Sequence, residues 1–259
     1  GGDIFSFVEQ FEGLDFKGAL KLLADRAGVE LSTYSKEKGD MKDRLFEVMQ
    51  SATAHFMGNL EAHREAIDYL RSRGLEDKTI SSFKIGFAKD DWRDLYTELR
   101  KKNFTDSEIE QAGLSKKTEK GYYDRFRNRI MFPISDSSGR VIAFSGRIFV
   151  DDGKSAKYMN SPETPIFSKF AVLYGLDRAK DSIRRNNFSI LVEGQMDLIL
   201  CHQAMYKNTI ATSGTALSDK EISKENVISN LGLVRRLSPN LVLAFDADKA
   251  GVSATGRAG

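Results

Sequence analysis

The sequence predicts an α/β protein in which a mixed α+β region is followed by a parallel βαβαβ sheet. Apolar residues repeat at helical spacing through the first quarter of the chain, and two apolar runs around a turn-forming cluster near residue 136 indicate a β-hairpin. From residue 188 onward, short apolar runs alternate with helical segments, which is typical of a parallel sheet. At 259 residues the chain is long enough for two subdomains.

The first two predicted helices each carry apolar residues on one side. Asp3 is placed as the N-cap of a helix whose apolar positions recur at i, i+3, i+4 and i+7, namely Ile4, Phe7, Val8 and Phe11. A second stripe begins at Phe16 and ends before Gly28, a candidate C-cap. We expect both stripes to face a core, with their aromatic rings packed there rather than stacked on nucleic-acid bases.

A polar, aperiodic run over residues 32–40 predicts a linker between these helices and the rest of the chain. A longer helix is expected from Met41 to about Leu60, and another ends near Gly74. Shorter helices are expected over residues 77–83, 92–100 and 106–112.

Strands are expected from residue 122 onward. The runs 130–134 and 141–144 flank the turn residues 136–139, which is the pattern of a β-hairpin. The parallel unit follows as strand 188–192, helix 196–206, strand 209–212, helix 218–237 and strand 241–245. In an open parallel sheet, ligands bind beyond the carboxyl ends of the strands, so the residues that follow these strands are the first candidates for a site.

Composition excludes several classes of protein. With 41% hydrophobic and 29% charged residues, the chain has the composition of a soluble globular protein. Its apolar runs fall far short of the ~18 residues that span a membrane, and the N-terminus lacks a signal-peptide pattern, so we expect a cytoplasmic protein with no membrane contact. The single cysteine, Cys201, and the irregular spacing of the three histidines predict no zinc site.

Charge is unevenly distributed along the chain. Residues 116–185 contain 15 basic and 8 acidic residues, a net charge of +7, which leaves −5 for the remainder. This window predicts a surface that binds a polyanion, although a solvated charged face would have the same composition.

Acidic residues follow two of the predicted parallel strands. Glu193 and Asp197 follow the first strand, and Asp246 and Asp248 follow the third. Carboxylates brought together at one sheet edge can share Mg²⁺, which prefers oxygen ligands and substrate phosphates. The alternative is that Glu193 and Asp197 only begin a helix and that Asp246 only caps one. Residues 212–217 follow the second strand, and their glycine and hydroxyl groups could approach a phosphate.

Three arginines alternate in the segment that precedes the hairpin. Arg125, Arg127 and Arg129 are spaced by two, so in an extended strand all three would project from one face. Guanidinium groups match phosphate in a bidentate manner, and three on one face repel one another unless an anion lies among them. The alternative is a set of surface salt bridges to Asp124 or Asp136.

These segments carry a family resemblance. Residues 191–197, 213–217 and 245–251 resemble the three landmarks of the Toprim domain, which bacterial primases, type IA and type II topoisomerases and some nucleases share. Residues 123–134 and 157–164 are similar to the basic motif and the following stretch of bacterial DnaG-type primases. The similarity is nearly continuous from Asp3 to Gly251, so the chain resembles the RNA polymerase core of that family, with a Toprim-like βαβαβ sheet.

The resemblance implies template-directed synthesis of RNA primers on single-stranded DNA from nucleoside triphosphates. It implies Mg²⁺ or Mn²⁺ bound by Glu193, Asp246 and Asp248, with Glu193 acting as a metal ligand or as the proton acceptor and Asp197 as a supporting acid. It further implies a set of residues that bind nucleotide or template: Arg125, Arg127, Arg129, Arg147, Lys157, Asn160 and Lys169.

The resemblance also predicts the domain organisation. We expect a helical lead-in over residues 1–40, a mixed α+β subdomain over 41–180 and a Toprim domain over 181–259 that lacks its C-terminal part. The zinc ribbon and the helicase-binding domain of the family are expected to be absent, so the replicative helicase would contact only the full-length protein. A further acidic motif would also be missing, which predicts weakened activity.

Four other functions compete with this interpretation. A topoisomerase would need a tyrosine nucleophile and has no use for the basic motif. A Toprim nuclease would use the same acids, and residues 245–248 also resemble the aspartyl-phosphate strand of haloacid dehalogenase-like phosphatases, although Lys249 to Gly251 replace the expected threonine. An inactive fragment that only binds nucleotides or single-stranded DNA is the alternative without catalysis.

Overall fold

A computed structural model describes residues 2–12, 16–29, 36–151, 153–169, 171–212 and 230–245. Its helices are α1 Ile4–Glu12, α2 Phe16–Ala27, α3 Lys36–Glu61, α4 Arg64–Ser72, α5 Asp77–Ser82, α6 Asp94–Lys101, α7 Asp106–Gln111, α8 Leu176–Asn186, α9 Gln195–Gln203 and α10 Asn230–Leu237. Its strands are β1 Gly86–Ala88, β2 Ser115–Thr118, β3 Gly121–Asp124, β4 Arg129–Ser135, β5 Val141–Ile148, β6 Tyr158–Asn160, β7 Ser189–Val192, β8 Thr209–Ala211 and β9 Leu241–Leu243. The mixed helix and strand composition confirms the predicted fold class.

The described residues divide into two compact units. One contains the described residues between 40 and 168 except 137–139, and the other contains the rest. The predicted division at residues 40 and 180 stays a prediction, because compactness alone does not define domain boundaries.

The central antiparallel sheet of the first unit has the strand order β1-β4-β5-β6. The predicted hairpin forms its middle pair, in which β4 and β5 run antiparallel from Arg129 opposite Ile148 to Ser135 opposite Val141. Helix α3 packs on this sheet, with the ring of Phe56 against the edge of Phe144 at 5.2 Å between ring centres. Both strands are buried along most of their length, which explains why their sequences read as continuous apolar runs.

A smaller two-stranded sheet projects from the same unit. Strands β2 and β3 pair antiparallel, with Lys116 opposite Tyr123 and Lys117 opposite Tyr122. Helix α6 lies beside β3, and Tyr96 of this helix stacks on Tyr122 with 5.7 Å between the ring centres. The sequence did not predict this hairpin, because its lysine-rich first strand lacks an apolar face.

The parallel sheet of the second unit has the order β8-β7-β9. Strand β7 lies in the centre and pairs in parallel with both neighbours. Helices α8 and α10 contribute to the apolar core that buries Leu191 of β7 and Ile210 of β8. The βαβαβ prediction is therefore confirmed, and every strand of this sheet points its carboxyl end to the same edge.

Two local predictions were wrong. Helix α3 begins at Lys36 and so includes residues assigned to a linker. The first apolar stripe does not face a core: Val8 is buried, whereas Ile4, Phe7 and Phe11 are more than half exposed. Helical spacing identifies the apolar side of a helix but not whether another element covers it. Asp3 does cap α1, because its carboxylate accepts from the Ser6 amide at 2.8 Å.

Within the described part of the chain, the helices are too short or too polar to cross a membrane.

Candidate functional site

The basic motif forms a bend rather than a strand. Residues 125–128 lie between β3 and β4, and Asn128 has a left-handed backbone with φ of 50°. The expectation that Arg125, Arg127 and Arg129 project from one strand face is therefore wrong. The sequence could not reveal this, because alternate spacing of side chains also occurs in irregular segments.

Arg129 lies inside the fold. It is 3% exposed, and its Nη1 donates to the carbonyl oxygens of Gly146 and Ala156, each at 3.0 Å. A side chain at Gly146 would meet this arginine, because an added Cβ would lie 2.9 Å from its Cδ. Arg129 thus supports the segment around Ala156 from within the sheet, and its guanidinium is not presented on the surface.

Arg125 is partly buried and differs from both of its neighbours. Its Nε is buried without a hydrogen-bond partner among the described residues, and burial lowers the pKa of the guanidinium. The Nε–H group of Arg125 is therefore a donor without an acceptor, whereas Nη1 of Arg129 donates to two backbone carbonyls.

Arg127 lies against two aromatic rings, and together they form a surface that the sequence did not predict. Its guanidinium carbon lies 4.0 Å from the ring centre of Trp92 and 5.4 Å from that of Tyr123. The two rings are 5.5 Å apart at an angle of 67°. Trp92 is 63% exposed, so its ring remains accessible beside the arginine. We call Trp92, Tyr123 and Arg127 the aromatic–arginine surface.

One lysine of the β2–β3 hairpin extends the aromatic–arginine surface. Lys116 is the cross-strand partner of Tyr123 and therefore lies on the same face of the hairpin. Lys117 lies on the opposite face with its partner Tyr122, and Lys120 is exposed in the turn between the two strands. The one local signal for this surface was the single tryptophan of the sequence, because the other two residues of the surface lie about 30 residues further along the chain.

Asp124 connects the parts of this surface. It is 3% exposed, and its carboxylate accepts hydrogen bonds from the amides of Leu95 and Tyr96, each at 2.8 Å. Its backbone amide donates to the Trp92 carbonyl at 2.7 Å, and its own carbonyl accepts from Arg127. Burial raises the pKa of Asp124 to about 7. Asp124 does not form the surface salt bridge that the alternative interpretation expected.

A second arginine lies between aromatic rings on the central sheet. Arg147 of β5 donates to the Tyr158 hydroxyl at 2.8 Å, and its guanidinium carbon lies 5.5 Å from the ring centre of Tyr158 and 5.7 Å from that of Tyr69. Asn160 of β6 is paired with Ser145, two residues before Arg147, so Arg147 and Asn160 share a face of the sheet. Register places Arg129 on the opposite face.

The two remaining basic candidates are placed differently. Lys157 is exposed directly before β6, and its carbonyl accepts from the Ile148 amide at 2.9 Å. Lys169 is partly buried and belongs to the other compact unit.

Glu193 stands at the carboxyl edge of the parallel sheet. It directly follows the central strand β7, and its carbonyl accepts from the Thr212 hydroxyl at 3.1 Å. The parallel register places Leu191 opposite Leu243, so Phe245 is level with Glu193 along the sheet. Asp197 lies in the first turn of α9 and is exposed, and its carboxylate accepts from the Gly194 amide at 3.1 Å. Asp197 therefore has at least the helix-capping role that the alternative assigned to it.

The other predicted acids, Asp246 and Asp248, lie outside the described residues, as do residues 213–217. Among the residues with described positions, three or more histidine, cysteine or acidic side chains do not cluster as they would around a metal ion. The structure thus places one candidate metal ligand, Glu193, at the sheet edge where such sites form.

Comparisons with known proteins match both parts of the chain. Residues 55–180 match the family of the DNA primase catalytic core, N-terminal domain, and residues 187–259 match the Toprim domain family. The DNA primase of Deinococcus radiodurans is 41% identical over 256 residues, which cover 98% of this chain and 42% of the relative. The chain therefore spans about two fifths of the length of that relative.

Solved structures agree with these matches. The RNA polymerase domain of Mycobacterium tuberculosis primase DnaG is 33% identical with a TM-score of 0.74, over 83% of this chain and 70% of that one. A DnaG primase catalytic domain bound to single-stranded DNA is 32% identical with a TM-score of 0.72, over 85% and 66% of the respective chains. Fold, family matches and sequence identity agree, and the chain accordingly belongs to the bacterial DnaG-type primase family, within its catalytic core.

Proposed function

We propose that this chain is the catalytic core of a DNA-directed RNA polymerase that synthesises short RNA primers on single-stranded DNA. In the reaction, the 3′-hydroxyl of a ribonucleotide attacks the α-phosphate of a nucleoside triphosphate, a new O–P bond forms, and pyrophosphate leaves with the electrons of the broken anhydride bond. Membership of the primase family supports this reaction class, nucleotidyl transfer. In the full-length protein, the replicative helicase would be a further partner.

The observation that carries template binding is the aromatic–arginine surface. Single-stranded nucleic acid binds to surfaces that combine exposed aromatic rings with positive charge, because bases stack on the rings and phosphates pair with the cations. Trp92 supplies an exposed ring, Arg127 a guanidinium stacked on it, and Lys116 a further exposed cation on the hairpin face that carries Tyr123. A related DnaG catalytic domain is known bound to single-stranded DNA, which agrees with this proposal.

The remaining basic candidates have different parts in this proposal. Arg125 retains a buried donor without a partner and is proposed to receive a phosphate of the template or the triphosphate. Arg147, Lys157, Asn160 and Lys169 are proposed as further contacts to nucleotide or template. Arg129 is proposed to act through the loop it supports, since its side chain is buried.

The donor chemistry at the sheet edge fits a hard divalent cation. Glu193 offers a carboxylate directly after the central strand, and Asp246 and Asp248 follow Phe245 in the sequence, which is level with Glu193 in the register. These three residues would hold Mg²⁺ or Mn²⁺, which would stabilise the charge that develops on the phosphate oxygens. Glu193 is proposed either to bind the cation or to accept the hydroxyl proton, and Asp197 to support it.

The experiment that tests this function measures ribonucleotide incorporation on a single-stranded DNA template, with Mg²⁺ and with Mn²⁺. The wild-type chain is compared with Asp246→Asn and with Arg127→Ala. Synthesis that is lost in the first variant while template binding remains, and template binding that is weakened in the second, would support the proposal. Metal-dependent cleavage of the template without synthesis would instead indicate a nuclease. Template binding without either reaction would indicate a fragment that only binds DNA.

A further inference from the structure

Asp124 contacts Trp92 and Arg127, two of the three residues of the aromatic–arginine surface. Its backbone amide donates to the carbonyl of Trp92, and its carbonyl accepts from the guanidinium of Arg127. These backbone contacts connect Trp92 to Arg127 through a single residue. A second backbone hydrogen bond joins the basic motif to Lys89, three residues before Trp92, because the Asn128 amide donates to the Lys89 carbonyl at 3.1 Å.

The buried carboxylate of Asp124 also caps the start of helix α6. Helix α6 begins directly after Trp92 and Arg93, and Arg93 occupies the N-cap position without a side-chain hydrogen bond to the helix. Asp124 supplies the missing acceptor from β3, because its two carboxylate oxygens accept from the Leu95 and Tyr96 amides. An acceptor from a different element ties the start of the helix to the strand that carries Tyr123.

We infer that Asp124 is a positioning residue for template binding, whose ionised carboxylate holds the start of α6, and with it Trp92, where Arg127 covers the indole ring. The inference rests on the proposed function of the aromatic–arginine surface. A carboxylate can accept from both amides at once, whereas a neutral carboxyl or an amide offers one fewer acceptor and adds a donor. The surface should therefore be better ordered when Asp124 is ionised.

The surroundings of Asp124 place its ionisation within an accessible pH range. Burial raises its pKa to about 7, the two backbone amides lower it, and the nearby carboxylates of Asp94 and Asp91 raise it again. Other charged groups lie around it. His55 and Lys89 contact Asp94 rather than Asp124, and Arg127 contacts the Asp124 carbonyl. The variant Asp124→Asn retains His55, Lys89 and their contacts to Asp94, so it isolates the contribution of the Asp124 carboxylate.

The first test uses Trp92, the single tryptophan of the sequence, as a reporter in the absence of DNA. Acrylamide quenching of its fluorescence is measured at about pH 6 and about pH 8.5, on either side of the Asp124 pKa. We expect quenching of the wild-type chain to decrease at the higher pH, as Arg127 covers the ring, and quenching of Asp124→Asn to stay constant. Thr105→Ala is the matched control, because it removes the N-cap of α7 and leaves Asp124 intact.

The second test measures the affinity for single-stranded DNA under the same conditions. We expect Asp124→Asn to bind as the wild-type chain does at the lower pH and about tenfold more weakly at the higher pH, which is the lower end of what one hydrogen bond to a charged acceptor contributes. Thr105→Ala should follow the wild-type chain at both pH values. A purely structural role of Asp124 would weaken binding equally at both pH values, and that outcome would overturn the inference.

The two tests also distinguish failure of the inference from failure of the proposed function. If Trp92→Ala binds DNA as tightly as the wild-type chain, the surface is not the template site, and the proposed function of the surface fails. The quenching measurement still tests positioning in that case, since it needs no DNA. If wild-type quenching does not change between the two pH values, or if Asp124→Asn changes in the same way, the inference is wrong. If Asp124→Asn does not fold, the wild-type pH response is compared with that of His55→Asn, which removes the imidazole and leaves Asp124 intact. A response that His55→Asn retains supports the inference, and a response that it loses overturns it.

Discussion

Arg125, Arg127 and Arg129 occupy three different environments, although the sequence presents them as equivalent. Arg129 donates to backbone carbonyls inside the sheet, Arg125 is partly buried with a free donor, and Arg127 stacks on an exposed tryptophan. The spacing of the residues indicated a cationic segment but not which guanidinium reaches the surface. The difference arises from the left-handed Asn128 and from contacts to segments distant in the sequence.

Removal of the indole ring tests the importance of Trp92 at the residue scale. We expect Trp92→Ala to weaken binding of single-stranded DNA by about fivefold or more, because a base–aromatic stack contributes on the order of 1–3 kcal/mol. Fluorescence anisotropy of a labelled oligonucleotide measures this change. Tyr206→Ala is a matched control, since Tyr206 is equally exposed but lies outside the basic hairpin. Equal losses in both variants would argue against a specific stacking role.

The stability of the protein should depend on the ionisation of Asp124. Its pKa is raised from 3.8 to about 7 on folding, so the folded state retains a proton that the unfolded state releases. The contribution of this group to the free energy of unfolding is therefore full below about pH 4 and decreases as the pH rises to about 7, by at most about 1.4 kcal/mol per pH unit. Urea unfolding at several pH values measures it, and Asp124→Asn should lack this component. The ionised form that orders the surface is the less stable one.

At the scale of elements, β1 lies against α3 at Gly86. A Cβ at Gly86 would lie 2.5 Å from the Cβ of Phe56 and 2.7 Å from its carbonyl carbon, which leaves no room for a side chain. From the sequence, Gly86 lies in a segment between two predicted helices, for which no element was expected. It could not predict a strand of three residues whose existence depends on pairing with β4.

Substitution of Gly86 should separate the strand from the helix. We expect Gly86→Ala to lower the free energy of unfolding by about 1–3 kcal/mol, the usual cost of overpacking. Gly58→Ala on the same helix is the control and should raise stability by about 0.5–1 kcal/mol, because Gly58 is helical and an added Cβ meets nothing within 4 Å. Thermal unfolding followed by circular dichroism compares the two. A neutral Gly86→Ala would contradict the close packing.

At the scale of the whole molecule, the proposed function joins a template surface to a metal-dependent reaction. In the proposed function these two activities depend on different groups, since cations and aromatic rings would bind DNA whereas acids would bind the metal. We expect removal of divalent cations with EDTA to abolish ribonucleotide incorporation while affinity for single-stranded DNA changes by less than about twofold. Incorporation and anisotropy assays on one preparation measure both. If binding is lost together with synthesis, the metal is part of the template site.

The sequence by itself determined the elements whose signal is local. The apolar pattern contains the central hairpin and the βαβαβ order, because periodicity and strand ends are encoded within a few residues. The same pattern locates the ends of β7 and β9, and so identifies the acidic residues that follow them as candidates for a site. The tertiary structure alone decided which side chains are exposed. It buried Arg129, left Phe7 and Phe11 uncovered, and joined Trp92 to Arg127 through Asp124. Burial depends on contacts between residues far apart in the chain, and no local pattern contains them.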